Sequence, residues 1–137
     1  MELPELPNCI ELRCENNNRS GKGDFFDIDV SDNKLEKLPE LPVCEILICN
    51  RNHLKDLPNL PKCIKLNCND NDLKVLPNLP NCIKLQCSDN SLRKLPELPV
   101  CQILKCKKNR LKLLSDLPNC KEVHCQKNCL KEIQSLP

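Results

Sequence analysis

The chain has 137 residues, a net charge of +2, two phenylalanines and no tryptophan or tryptophan-sized substitute such as tyrosine. That length suits one domain of ordinary size, but aromatics cannot supply the buried area of a conventional core. Near-neutral charge gives no global field for nucleic acid or anionic membrane, and no run of eighteen apolar residues exists to span a bilayer.

The chain opens on MELPELPNCI, which has neither the basic n-region nor the apolar h-region of a secretory signal. A cytoplasmic location is therefore expected. From Leu35 a leucine returns every nineteen residues, at 54, 73, 92, 111 and 130. Leu54–Asp72 reads LKDLPNLPKCIKLNCNDND, and Leu73–Ser91 reads LKVLPNLPNCIKLQCSDNS. A fixed short period is the mark of a solenoid, in which each unit contacts mainly its neighbours.

Numbering each unit from its first cysteine, Cys63, Leu66, Cys68, Asn71 and Leu73 fall at positions 1, 4, 6, 9 and 11. Ile64, Leu66 and Cys68 alternate with Lys65 and Asn67, the period of a half-buried strand. The two Leu-Pro pairs that follow favour extended geometry, because proline fixes its own φ and restricts the preceding residue. They predict an outer return path without an α-helix.

Seven units start at Cys9, Phe25, Cys44, Cys63, Cys82, Cys101 and Cys120, within one domain spanning residues 1–137 and without evident caps. Unit two is irregular. It begins sixteen residues after unit one, with RSGKGD in place of the Leu-Pro path. If it holds the common frame, Asp27 lies beside Glu11, and Asp29 beside Arg13. That arrangement is an acidic patch with one ion pair, or else a carboxylate pair for a cation. SGKG lacks the upstream glycine and following Ser or Thr of a phosphate loop.

Thirteen cysteines would ordinarily suggest a disulfide scaffold. Twelve fall at positions 1 and 6, about 16 Å apart within a strand, too far for a bridge that needs Cα atoms within about 7 Å. Buried thiols acting as small hydrophobes are expected, with no cofactor and no metal. Metal or redox chemistry along the columns is the contrasting reading. Cys129 sits at position 10, polar in other units, and is expected to be the exposed thiol. His53 and His124 stand four strands apart, and no catalytic constellation is expected.

The frame C-x-x-L-x-C-x-x-N-x-L resembles the conserved segment of leucine-rich repeats. The accompanying L-P-x-L-P resembles the short repeats of bacterial secreted effectors, and the cysteine-rich variant resembles repeat proteins of giant DNA viruses. The resemblance implies a leucine-rich repeat solenoid, conventionally α/β but with few or no helices. It implies a right-handed coil with a concave parallel sheet of about seven strands. The asparagines at 17, 33, 52, 71, 90, 109 and 128 would then form a ladder bonding the backbone of adjacent turns.

Such a fold exposes positions 3 and 5 on its concave face. The expected partner-binding residues are Ile46, Ile48, Lys65, Asn67, Lys84, Gln86, Ile103, Lys105 and His124. For Ile46 and Ile103 a bulge that turns them inward is an equal alternative. Residues 1–32 carry eight acids against three bases, and residues 96–137 eight bases against four acids. The expected function is a non-enzymatic scaffold for a protein partner, with no nucleic acid and no membrane. Self-association through open ends is an alternative.

Overall fold

The computed structural model describes residues 34–131, together with Leu3, Glu5 and the strand at 11–13. Six short strands form one sheet: β1 (Glu11–Arg13), β2 (Ile46–Ile48), β3 (Lys65–Asn67), β4 (Lys84–Gln86), β5 (Ile103–Lys105) and β6 (Glu122–His124). They lie in sequence order, each parallel to the next. No helix occurs among the described residues.

The strands form because position 4 points into the coil while positions 3 and 5 point out. Leu47, Leu66, Leu85 and Leu104 are at most 1% exposed, and their neighbours on each strand remain partly or fully open. The return path closes the other side of the core. Leu54, Leu60, Leu73, Leu79, Leu92 and Leu98 are buried there, each contributing about 1.5–3 kcal/mol relative to exposure.

The second Leu-Pro pair of each unit does more than extend the chain. Cys44 N–H donates to the Leu41 carbonyl at 3.3 Å, and Cys63 N–H to that of Leu60 at 3.2 Å. These close four-residue turns with Pro42 and Pro61 second, where the fixed proline φ is pre-set for the turn. The return path thus delivers the chain into the next strand at a fixed angle.

The asparagine ladder forms wherever the structure describes it. Asn71 Oδ1 accepts from Leu54 N–H at 3.0 Å, one turn back. Its Nδ2 donates to the Cys49 carbonyl of that turn and to the Cys68 and Asn69 carbonyls of its own, at 3.1–3.2 Å. Asn90, Asn109 and Asn128 repeat this joint. One side chain per turn therefore satisfies backbone groups that a tight corner would leave unpaired.

Position 8, just before the asparagine, is left-handed. Arg51, Asp70, Asp89, Lys108 and Lys127 have φ between 51° and 58°. A non-glycine residue there costs about 1–2 kcal/mol.

The second unit departs from expectation. Glu11 is registered on Ile46, and Arg13 on Ile48, so no strand lies between β1 and β2. The sheet neighbours expected for Glu11 and Arg13, Asp27 and Asp29, are replaced by the two isoleucines. A parallel step needs a crossover to carry the chain round the coil. Phe25, Asp27 and Asp29 themselves lie outside the described residues.

Candidate binding surface on the concave sheet

Every concave position follows from the register. Ile46 is opposite Lys65 and Ile48 opposite Asn67, while Lys84 is opposite Ile103 and Gln86 opposite Lys105. The intervening leucines pair in step, Leu47 with Leu66 and Leu85 with Leu104. No bulge interrupts either strand, so Ile46 and Ile103 stand on the open face, each partly exposed.

Six of the nine expected residues meet in one place. Ile46, Ile48, Lys65, Asn67, Lys84 and Gln86 line a groove of about 150 Å³, with Leu66 as its floor. The two isoleucines come from β2, Lys65 stands beside Ile46 on β3, and Lys84 beside Lys65 on β4. Neither Lys65 nor Lys84 has an ion pair among the described residues.

Ile103, Lys105 and His124 continue the face but lie beyond this groove. Lys105 Nζ is 3.4 Å from a Glu122 carboxylate oxygen, and His124 Nε2 is 2.8 Å from the same oxygen. Partial desolvation acts to raise the Glu122 pKa. Hydrogen bonds to His124 and Lys105 outweigh it and hold the carboxyl below its ordinary value. Glu122 was visible in the position-3 column, but its role as the hub of this cluster depends on which neighbours its register supplies. His53 is 3.8 Å from Asp72, on the exposed turn beyond the strands, well apart from His124.

The cysteine columns lie under the sheet. Nine of the eleven described cysteines are buried, Cys125 is half-buried and Cys129 exposed, and no disulfide joins any of them. The position-1 thiols also make a bond that sequence reasoning missed. Cys44, Cys63, Cys82, Cys101 and Cys120 each donate Sγ–H to the carbonyl two residues on, at 3.2–3.3 Å. A leucine at this position would leave that carbonyl without this donor.

Burial pushes the Cys63 and Cys101 thiols up to about 11 and those of Cys82 and Cys106 to about 12. Burial also raises Cys68 and Cys87 well above the ordinary thiol value, and neighbouring thiols reinforce it. Nucleophilic attack and metal ligation both need the thiolate, which burial disfavours at these six thiols at neutral pH. Among the described residues no three His, Cys, Asp or Glu side chains converge as a metal site would require.

A second depression was not anticipated. Ile64, Ile83 and Val100 line an open hollow of about 470 Å³ with Glu45, Lys62, Asn81 and Gln102. Its signal was the run of apolar residues at positions 2 and 19, which the strand pattern alone does not separate from core. No helix of the described residues is long and apolar enough to cross a membrane.

No protein-family model matches the chain, and no curated protein matches it. Solved structures do. YopM from Yersinia enterocolitica WA-314 superposes with a TM-score of 0.81 and 37% identity, over 99% of this chain and 33% of that one. YopM from Yersinia pestis, described as a leucine-rich effector protein, gives 0.77 and 28%, over 98% and 42%. The chain therefore has the leucine-rich repeat fold and spans well under half the length of either relative.

Proposed function

We propose that this leucine-rich repeat solenoid is a non-enzymatic scaffold that binds a protein partner in the β2–β4 groove of its concave sheet. The observation that carries the reading is the groove itself. Ile46 and Ile48 are apolar residues on a face where the fold needs none, set beside two lysines with no acid to hold them. Apolar anchors ringed by unpaired charge are the usual makings of a contact centre. The partner segment that fits offers an apolar side chain to the isoleucines and a carboxylate to Lys65 or Lys84.

The buried thiols support residence in a reducing compartment such as the cytoplasm, where the columns stay unoxidised. A viral source, suggested by the cysteine-rich form of the repeat, belongs to the same reading. So does the absence of catalysis, since the fold resembles effector proteins and the histidines are dispersed.

Affinity capture with wild-type protein and two variants tests the proposal. Ile48→Asp should weaken the captured partner by about 30-fold, the equivalent of about 2 kcal/mol at a contact centre. Lys105→Glu, outside the groove, should weaken it less. Equal capture by all three proteins removes the concave site from consideration.

A further inference from the structure

One flank of the coil carries a charge pattern that the binding groove does not use. Position 12, on the return path just after the buried leucine, is Glu36 in the first described turn and then Lys55, Lys74, Arg93, Lys112 and Lys131 in successive turns, all exposed. The backbone there is locked in step from turn to turn. Arg110 N–H donates to the Leu92 carbonyl at 2.8 Å, Cys129 N–H to that of Leu111 at 2.9 Å, and Lys131 N–H to that of Lys112 at 3.3 Å. Adjacent cations of the row are therefore about 4.8 Å apart at the backbone, well inside the Debye length of about 8 Å at physiological salt.

The row is unevenly relieved. In its first two turns Asp56 and Asp72 stand at positions 13 and 10. In the next two turns positions 10, 12 and 13 hold no acid and add Lys94 and Arg110, whereas the last turn has Glu132 directly after Lys131, outside the described residues. None of Arg93, Lys94, Arg110 and Lys112 has an ion pair among the described residues. In their midst is Leu113, 55% exposed and the most open of the large apolar side chains. It follows Lys112 directly and shares its column with Lys94.

We infer that this flank is a docking surface for an anionic lipid bilayer. Four cations without an ion pair among the described residues, set around an exposed leucine, describe two separate demands, negative charge outside and an apolar layer within reach. An anionic bilayer meets both, since its headgroups neutralise the cations and Leu113 enters the acyl boundary. A nucleic acid meets only the first, and the flank has no aromatic side chain on which bases could stack. The flank is separate from both hollows described above, whose lining residues it does not share. The whole-chain charge of +2 conceals the pattern because acids in the other turns and on other faces offset these cations.

Sedimentation with phosphatidylcholine vesicles, with and without phosphatidylserine, tests the inference. The wild-type chain should sediment only with the phosphatidylserine vesicles and be released as salt is raised. Lys112→Ser alone should weaken the interaction about fivefold, the equivalent of about 1 kcal/mol per cation. Arg93→Glu with Lys112→Glu should abolish it, and Leu113→Ser should weaken it without changing its salt dependence. Lys65→Glu with Lys84→Glu, in the concave groove, should weaken it much less than the flank pair does. Failure to sediment with phosphatidylserine vesicles overturns the inference, as does sedimentation indifferent to the flank substitutions. Flank-dependent binding of a single-stranded oligonucleotide or an acidic protein, without vesicle binding, also overturns it.

Discussion

The two ends of the concave sheet share one backbone and differ in how their side chains are committed. At β2–β4 the exposed positions are Ile46, Ile48, Lys65, Asn67, Lys84 and Gln86, and neither lysine has an ion pair among the described residues. At β5–β6 Lys105, Glu122 and His124 are tied to one another across and along the strands. The register beneath is identical. Two residues per turn thus decide whether a stretch of the sheet is available or already satisfied, while leucine, cysteine and asparagine repeat below them with one exchange, Val123 for leucine in β6.

The largest expected effect removes that shared foundation from both ends at once. The folded thiols have pKa values raised above the unfolded value near 9. Their contribution to stability is fully present below that value and lost as pH rises towards 11–12. Each such thiol contributes a loss of up to about 1.4 kcal/mol per pH unit. Several acting together match a typical domain stability of about 5–15 kcal/mol. Circular dichroism at rising pH should show cooperative unfolding between roughly pH 9 and 11. A fold unchanged at pH 12 contradicts the buried-thiol account of the core.

A smaller break separates the sheet into blocks. Asn71→Ala leaves the Leu54 N–H without its acceptor at the joint between two turns and removes one of two amide donors to the Cys49 carbonyl, which keeps Asn52 Nδ2. A loss of about 2 kcal/mol is expected in urea unfolding, since a buried orphan costs about 1–3 kcal/mol. Asn81→Ala, which removes an exposed bond to the Pro61 carbonyl, should cost under about 1 kcal/mol. Equal losses in the two variants would mean that the ladder is not what joins the turns.

The smallest effect has the opposite sign. Arg51 adopts φ 57° without the glycine that this region favours. Arg51→Gly should therefore raise stability by about 0.5 kcal/mol, the relief of left-handed strain less the entropy that glycine loses on folding. A destabilised variant would show that the arginine side chain contributes more than its backbone costs.

Much of this architecture was legible because the period is strict. A column of leucines, two of cysteines and one of asparagine can be read only one way when the step is nineteen residues. The nine concave residues followed from that register, and the uninterrupted pairing of Leu47 with Leu66 decides against a bulge at Ile46. Where the period fails, so does the reading. The sixteen-residue step into Phe25 left no means of telling that Glu11 would meet Ile46 and not Asp27. The left-handed column was masked where it holds Arg51, Lys108 and Lys127, which give no local sign of positive φ, and only Asp70 and Asp89 hint at it. The thiol-to-carbonyl bonds depend on rotamers, and the basic flank on which return-path residues share a face. Neither is expressed in the strand periodicity.

The most direct test of recognition at the β2–β4 groove is an NMR titration of isotope-labelled chain with the captured partner. Binding there predicts the largest amide shifts at Ile46, Ile48, Lys65 and Lys84, with small changes at Lys105 and His124. Shifts centred on Ile64, Ile83 and Val100, or on Arg93 and Lys112, with the groove unmoved, would contradict it.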